Sequence, residues 1–223
     1  MNKTLLVITF LLLSIASTAQ KIHFTDTTNQ WTYYLHNCSG ETGITPTEYN
    51  DSYSGDTLIG GISYRRLLQS YLTGLLYVRE DTIAQKVYVR GVGDTADDLL
   101  YDYTLNVGDS FYAYPGTPAH ATFYVASEDS VQINTLWYKT WYLISAAGST
   151  LPAGISYTII EGIGCDQQPL FPVKDPPNPE RCTTVTCFHN KGTQPLVSPE
   201  VDGYFDNASS CSLTFGLGVN RAC

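Results

Sequence analysis

Leu75-Leu76-Tyr77-Val78-Arg79, Asp81-Thr82-Ile83-Ala84-Gln85 and Lys86-Val87-Tyr88-Val89-Arg90 follow one another almost without a break, and Leu99-Leu100-Tyr101-Asp102-Tyr103-Thr104-Leu105 resumes after a glycine-broken loop. Aromatic and β-branched residues dominate the stretch 74–111. Apolar and polar positions often alternate with period two, the pattern of strands with one buried face. The stretch predicts β structure from end to end, with Leu99, Tyr101, Tyr103 and Leu105 on one face and Asp102 and Thr104 on the other. Asn106-Val107-Gly108-Asp109 predicts the turn that precedes Phe111.

Upstream, residues 31–35 predict a first strand, and a polar, glycine-containing segment runs from there to Ser54. Thr57-Leu58-Ile59 and Ile62-Ser63-Tyr64 flank Gly60-Gly61. Two glycines between apolar runs predict a hairpin, because the favoured two-residue turn needs positive φ. Downstream, residues 123–125, 157–160, 185–188 and 213–217 predict further strands, and 131–133 with 136–143 predict a second hairpin around Asn134-Thr135. This second hairpin echoes the first: Asp129-Ser130…Leu136-Trp137-Tyr138-Lys139 parallels Asp56-Thr57…Ile62-Ser63-Tyr64-Arg65. The irregular spacing argues for a reused hairpin pattern and not a repeat protein. Residues 169–179 are proline-rich and predict a loop. No amphipathic helical period occurs. The fold class expected is all-β: a single β-sandwich or curved antiparallel meander, stapled by disulfides.

Residues 1–19 read as a signal peptide, with Lys3 in a positive n-region, an apolar run over 5–15 and the small residues Ser17 and Ala19 before the cut. Cleavage there leaves Gln20 first and residues 20–223 as one secreted domain, with no membrane span expected. The chain carries 12 basic and 21 acidic side chains, net −9. That balance opposes nucleic acid and anionic membranes as partners, since both need a basic footprint. The six cysteines, Cys38, Cys165, Cys182, Cys187, Cys211 and Cys223, all follow the leader. An even count in an oxidising compartment predicts disulfides, with pairing left open. A metal site at Cys182, Cys187 and His189 is the competing reading, but the paired short spacings of zinc sites are missing.

Motifs that carry chemistry are sparse. Gly91-Val92-Gly93-Asp94-Thr95-Ala96 has the spacing of a dinucleotide loop, yet a strand follows it where a helix is required. Asp94, Asp97, Asp98 and Asp102 lack the order of a calcium loop and read as a solvated acidic turn. His23, His36, His120 and His189 are scattered. Glu161, beside a glycine turn, is a candidate acid or base if a second carboxylate lies close, as in a secreted hydrolase. The 17 tyrosines with Trp31, Trp137 and Trp141 permit a carbohydrate-binding face. No catalytic residue, metal or cofactor is assigned. The expected role is a non-catalytic extracellular, periplasmic or cell-surface module whose partner is a protein or a glycan.

Gly55-Asp56-Thr57-Leu58-Ile59-Gly60-Gly61-Ile62-Ser63-Tyr64-Arg65-Arg66-Leu67 resembles a "GDT-x-I-N-G-x-x-Y-x-K-L" pattern. Arg79-Glu80-Asp81-Thr82-Ile83…Lys86-Val87-Tyr88, Leu100-Tyr101-Asp102-Tyr103…Val107-Gly108-Asp109, Ile160-Glu161-Gly162-Ile163-Gly164 and Cys187-Phe188 continue the likeness in order. Together they resemble uncharacterised secreted β-domain proteins of Bacteroidetes, many with a C-terminal type IX sorting domain, for which this sequence leaves no room before Cys223. The resemblance implies no activity and no catalytic residue. It does favour a Cys187–Cys211 disulfide, after which Cys165–Cys182 would brace the proline-rich loop and Cys38–Cys223 would remain. Seven of the 14 aspartates precede Ser or Thr. Five of these triplets resemble the O-glycosylation signal of exported Bacteroidetes proteins, which makes Thr27, Thr57, Thr82, Thr95 and Ser130 candidate acceptors. The same pairs also suit turn-to-strand junctions.

Overall fold

The computed structural model of the chain describes residues 22–37, 47–69, 75–113, 121–133, 136–146, 156–166, 170, 181–190 and 196–197. Every regular element among them is a strand. The chain first lays down β1 (Gln30–Asn37), β2 (Thr47–Ile59), β3 (Ile62–Leu68), β4 (Leu75–Asp81), β5 (Lys86–Gly91) and β6 (Asp98–Asp102) as a meander. It crosses to a second sheet as β7 (Ser110–Ala113), β8 (Ala121–Ile133), β9 (Leu136–Ser145), β10 (Ser156–Ile160) and β11 (Gly164–Cys165). It then returns to the first sheet as β12 (Arg181–His189) beside β1, with β13 (Leu196–Val197) outside it. The sheets have eight and five strands, are antiparallel throughout, and both curl.

The Gly60-Gly61 hairpin forms as its sequence predicts, with φ of 58° and 82° between paired Ile59 and Ile62. The second hairpin closes between Ile133 and Leu136. The echo between them has a packing counterpart, since Tyr64 and Tyr138, each third after its turn, are both buried.

The structure departs from the expected strands in three places. Residues 82–85 form a turn between β4 and β5: Asp81 Oδ1 accepts the Ile83 and Ala84 amides at 3.1 and 2.9 Å, and Gln85 takes a φ of 54°. β6 stops at Asp102, whose Oδ1 accepts the Thr104 amide and hydroxyl at 3.0 and 2.6 Å and turns the chain away. Pairing also steps from Val87↔Tyr101 to Tyr88↔Leu99, so the strict alternation expected of Leu99 to Leu105 breaks and Leu100 and Tyr101 are both buried. β2 begins at Thr47, inside the segment read as polar and irregular. Its Tyr49 stacks on Tyr33 at 5.8 Å, and buried Asp51 accepts the Tyr33 hydroxyl at 3.2 Å.

The expected disulfide staple at Cys165 is not formed. Cys165 is a buried thiol, with Sγ 3.5 Å from Asp166 Oδ1. Cys182 and Cys187 lie on β12 without described side chains, while Cys38, Cys211 and Cys223, the leader, the strand expected at 213–217 and all of the proline-rich loop but Leu170 lie outside the described residues.

Aromatic rings join the two sheets instead. Trp31 of β1 packs on Phe24 at 5.2 Å between centroids, Phe24 on Tyr101 at 5.4 Å, Tyr101 on Tyr103 at 6.0 Å, and Tyr103 on Trp141 of β9 at 5.6 Å. Such pairs add roughly 0.5–1.5 kcal/mol each beyond the area they bury. Three of their four polar tips are paired across the same gap. The Trp31 indole donates to the Ile163 carbonyl (2.8 Å), the Trp141 indole to the Leu105 carbonyl (2.9 Å), and the Cys165 amide to the Tyr101 hydroxyl (3.0 Å).

Ile22, just before Phe24, passes over the turn between β10 and β11, and only glycine fits beneath it. Gly162 has a φ of +74°, and a Cβ there would lie 2.1 Å from the Ile22 carbonyl oxygen. Gly162→Ala is therefore expected to cost at least about 2 kcal/mol, or roughly 4–8 °C in Tm. Gly60→Ala, with no atom within 4 Å of the new Cβ, should cost only about 1 kcal/mol for its φ. Thermal melts of the two variants check this. Equal melting temperatures would contradict it.

Candidate functional site

Tyr64-Arg65-Arg66, Tyr77-Val78-Arg79 and Tyr88-Val89-Arg90 repeat Tyr-x-Arg on β3, β4 and β5. Period two puts the tyrosine and arginine of each triplet on one face. Leu67↔Leu76 and Val78↔Val89 pair toward the core, so the alternate pairs Arg66↔Tyr77, Tyr77↔Arg90 and Arg79↔Tyr88 share the outer face. Four of the six arginines in this acidic chain lie between residues 65 and 90, and three of them project from this surface.

Asp97, at the end of the 91–97 loop, locks two of them. Its carboxylate accepts Arg79 Nε at 2.6 Å and Arg90 Nε at 2.7 Å, and the Tyr64 hydroxyl lies 2.8 and 3.0 Å from its two oxygens. The Arg79 guanidinium lies over the Tyr88 ring, 3.9 Å from its centroid. Both arginine side chains keep part of their surface in solvent, 24% for Arg79 and 16% for Arg90, against 11% for the Asp97 side chain. Arg66 is set by the bulge in β2. It donates to the Ser54 carbonyl at 3.2 Å, and its terminal nitrogen would lie 2.9 Å from a Cβ placed on Gly55. Its Nε is buried with no hydrogen-bond partner among the described residues.

Burial alone would raise the Asp97 carboxyl, but hydrogen bonds from Arg79 and Tyr64 and the charges of Arg79 and Arg90 hold it below its usual range. Burial, then the Asp97 carboxylate, pushes the Tyr64 phenol up. Arg79 is raised by Asp97 against the lowering effect of burial. The arrangement is therefore a fixed ionic lattice of net positive charge.

The residues singled out from the sequence fall elsewhere. The Glu161 amide donates to the Lys139 carbonyl at 3.0 Å and its Oε2 accepts the Lys139 amide at 3.3 Å, so it fastens a turn to β9. Trp31 and Trp141 are in the core, and only Trp137 is exposed, at 60%. The 91–97 loop is followed by a strand. Asp94 is solvated and caps the Gly91 amide at 2.7 Å, but Asp97 is not part of a solvated acidic turn, because the two arginines and Tyr64 enclose it. Thr27, Thr82, Thr95 and Ser130 are exposed and Thr57 is half-buried.

All seven aspartates preceding Ser or Thr are engaged within the fold. Asp26, Asp81, Asp94, Asp109 and Asp129 bind nearby backbone amides, Asp51 binds Tyr33, and Asp56 pairs with Arg65. Each of these carboxylates thus has a structural partner.

Comparison with protein-family models, curated proteins and solved structures returns no match to this chain.

The depressed Asp97 carboxyl fixes the sign of its pH dependence. Its folded pKa lies below the unfolded value of about 3.9, so its contribution is complete above that pH and is lost as pH falls through the folded value. Asp97→Asn should lower stability by roughly 2–3 kcal/mol at neutral pH, and the gap to wild type should narrow below about pH 4. Urea unfolding across this range measures it. A gap independent of pH would contradict the assignment.

Proposed function

We propose that this protein is an exported, non-catalytic binding module whose ligand face is the outer surface of β3, β4 and β5. The observation that carries the reading is the Arg66–Tyr77–Arg90 row, beside Arg79 stacked on Tyr88. Arginine and tyrosine are the side chains most often found at energetic centres of interfaces, since each combines a broad flat surface with fixed hydrogen-bond donors. Asp97 supports binding over turnover. A carboxylate held ionised by three donor side chains is a poor proton carrier near neutral pH. Export rests on the leader over residues 1–19.

A mixed array of glycans and extracellular proteins tests the face. Tyr77→Ala and Arg66→Ala leave the Asp97 lattice in place and should abolish the wild-type signal. Trp137→Ala, on β9, should retain it. Binding that survives both face substitutions in variants with unchanged melting temperature would refute the assignment.

A further inference from the structure

We infer that the ligand of this face is an acidic polysaccharide, a sugar chain bearing carboxylates; the inference rests on the binding reading above. The face is cationic on a chain of net charge −9, so an anionic ligand is matched here and repelled elsewhere. Arg66, Arg79 and Arg90 supply the charge, and Asp97 neutralises one unit of it. Asp97 also shows which anion the lattice accommodates, since it is a carboxylate taken by two guanidiniums and a phenol. Arg90 gives only its Nε to Asp97 and keeps its terminal nitrogens for a ligand. Arg66, half-buried and anchored by one terminal nitrogen on the Ser54 carbonyl, places a second guanidinium at the other end of the row.

The shape of the face selects a thin polymer. β3, β4 and β5 are interior strands, flanked by β2 and β6. A peptide cannot add there as a further strand, so recognition must run through side chains alone. Neighbouring strands lie about 4.8 Å apart, which puts Arg66 and Arg90 roughly 10 Å apart with Tyr77 between them. An acidic protein would cover about 800 Å². It would thus bring its charge within a Debye length, about 8 Å, of the acidic remainder of this chain. A single polysaccharide strand can follow the Arg–Tyr–Arg row and avoid that repulsion, with carboxylates on the guanidiniums and sugar rings against Tyr77.

Affinity electrophoresis of the mature chain through gels containing polygalacturonate, its fully methyl-esterified form or poly-glutamate tests this. The expected result is retardation by polygalacturonate alone, abolished by esterification and relieved at high salt. Arg66→Gln should weaken it by roughly tenfold or more, the loss of one charged hydrogen bond. Equal retardation by poly-glutamate would transfer the ligand to the acidic-protein class and overturn the inference. Migration unaffected by any of the three would also overturn it, while the array result for Tyr77→Ala judges the face independently.

Discussion

The contact between Tyr103 and Trp141 is where two separately built sheets become one molecule. The smaller sheet is a meander and the larger one is too from β1 to β6, and such hairpins are marginal until a shared apolar face is covered. The rings from Trp31 to Trp141 provide that cover, and Tyr101 sits in the middle of the series. Aromatic side chains suit the task because they bury large area while carrying a polar tip that can be paired. Each indole and phenol in this seam that reaches a carbonyl or amide of the other sheet adds direction to an otherwise non-directional attraction.

The seam also explains why one face of the larger sheet is left outside the core. Val78, Val87, Val89 and Leu76 are committed to the core, so the alternate positions of β4 and β5 must face outward. Once the inner set is fixed, register alone places Arg66, Tyr77 and Arg90 in line. The loop over 91–97 then brings Asp97 onto two guanidiniums that already stand side by side. The surface proposed for recognition is thereby held by strands, which keeps the cost of ordering it low.

Much of this architecture was legible in the residues. The valine, leucine and tyrosine alternation over 75–90 announced strands with a buried face, and Gly60-Gly61 announced its turn. What escaped did so for identifiable reasons. Thr82 and Ile83 favour strands by composition, but Asp81 caps the Ile83 and Ala84 amides and imposes a turn. Thr47 to Asp56 is too polar to read as a strand until Tyr49 and Asp51 are seen against Tyr33. Asp97 sits in an acidic run and reads as solvated. Its partners Tyr64 and Arg79 are 33 and 18 residues away, where no spacing rule applies. The triple Tyr-x-Arg was the available signal, because period two alone puts those side chains together.

The seam predicts a specific pattern in the exchange of the three indole hydrogens with solvent. Those of Trp31 and Trp141, bonded to carbonyls across the gap, should exchange only when the whole domain unfolds. That of exposed Trp137 should exchange at once and serve as the internal reference. Nuclear magnetic resonance resolves all three signals in one sample. Two slow indoles whose rates follow global stability would agree with the account; exchange at Trp31 or Trp141 as fast as at Trp137 would contradict it.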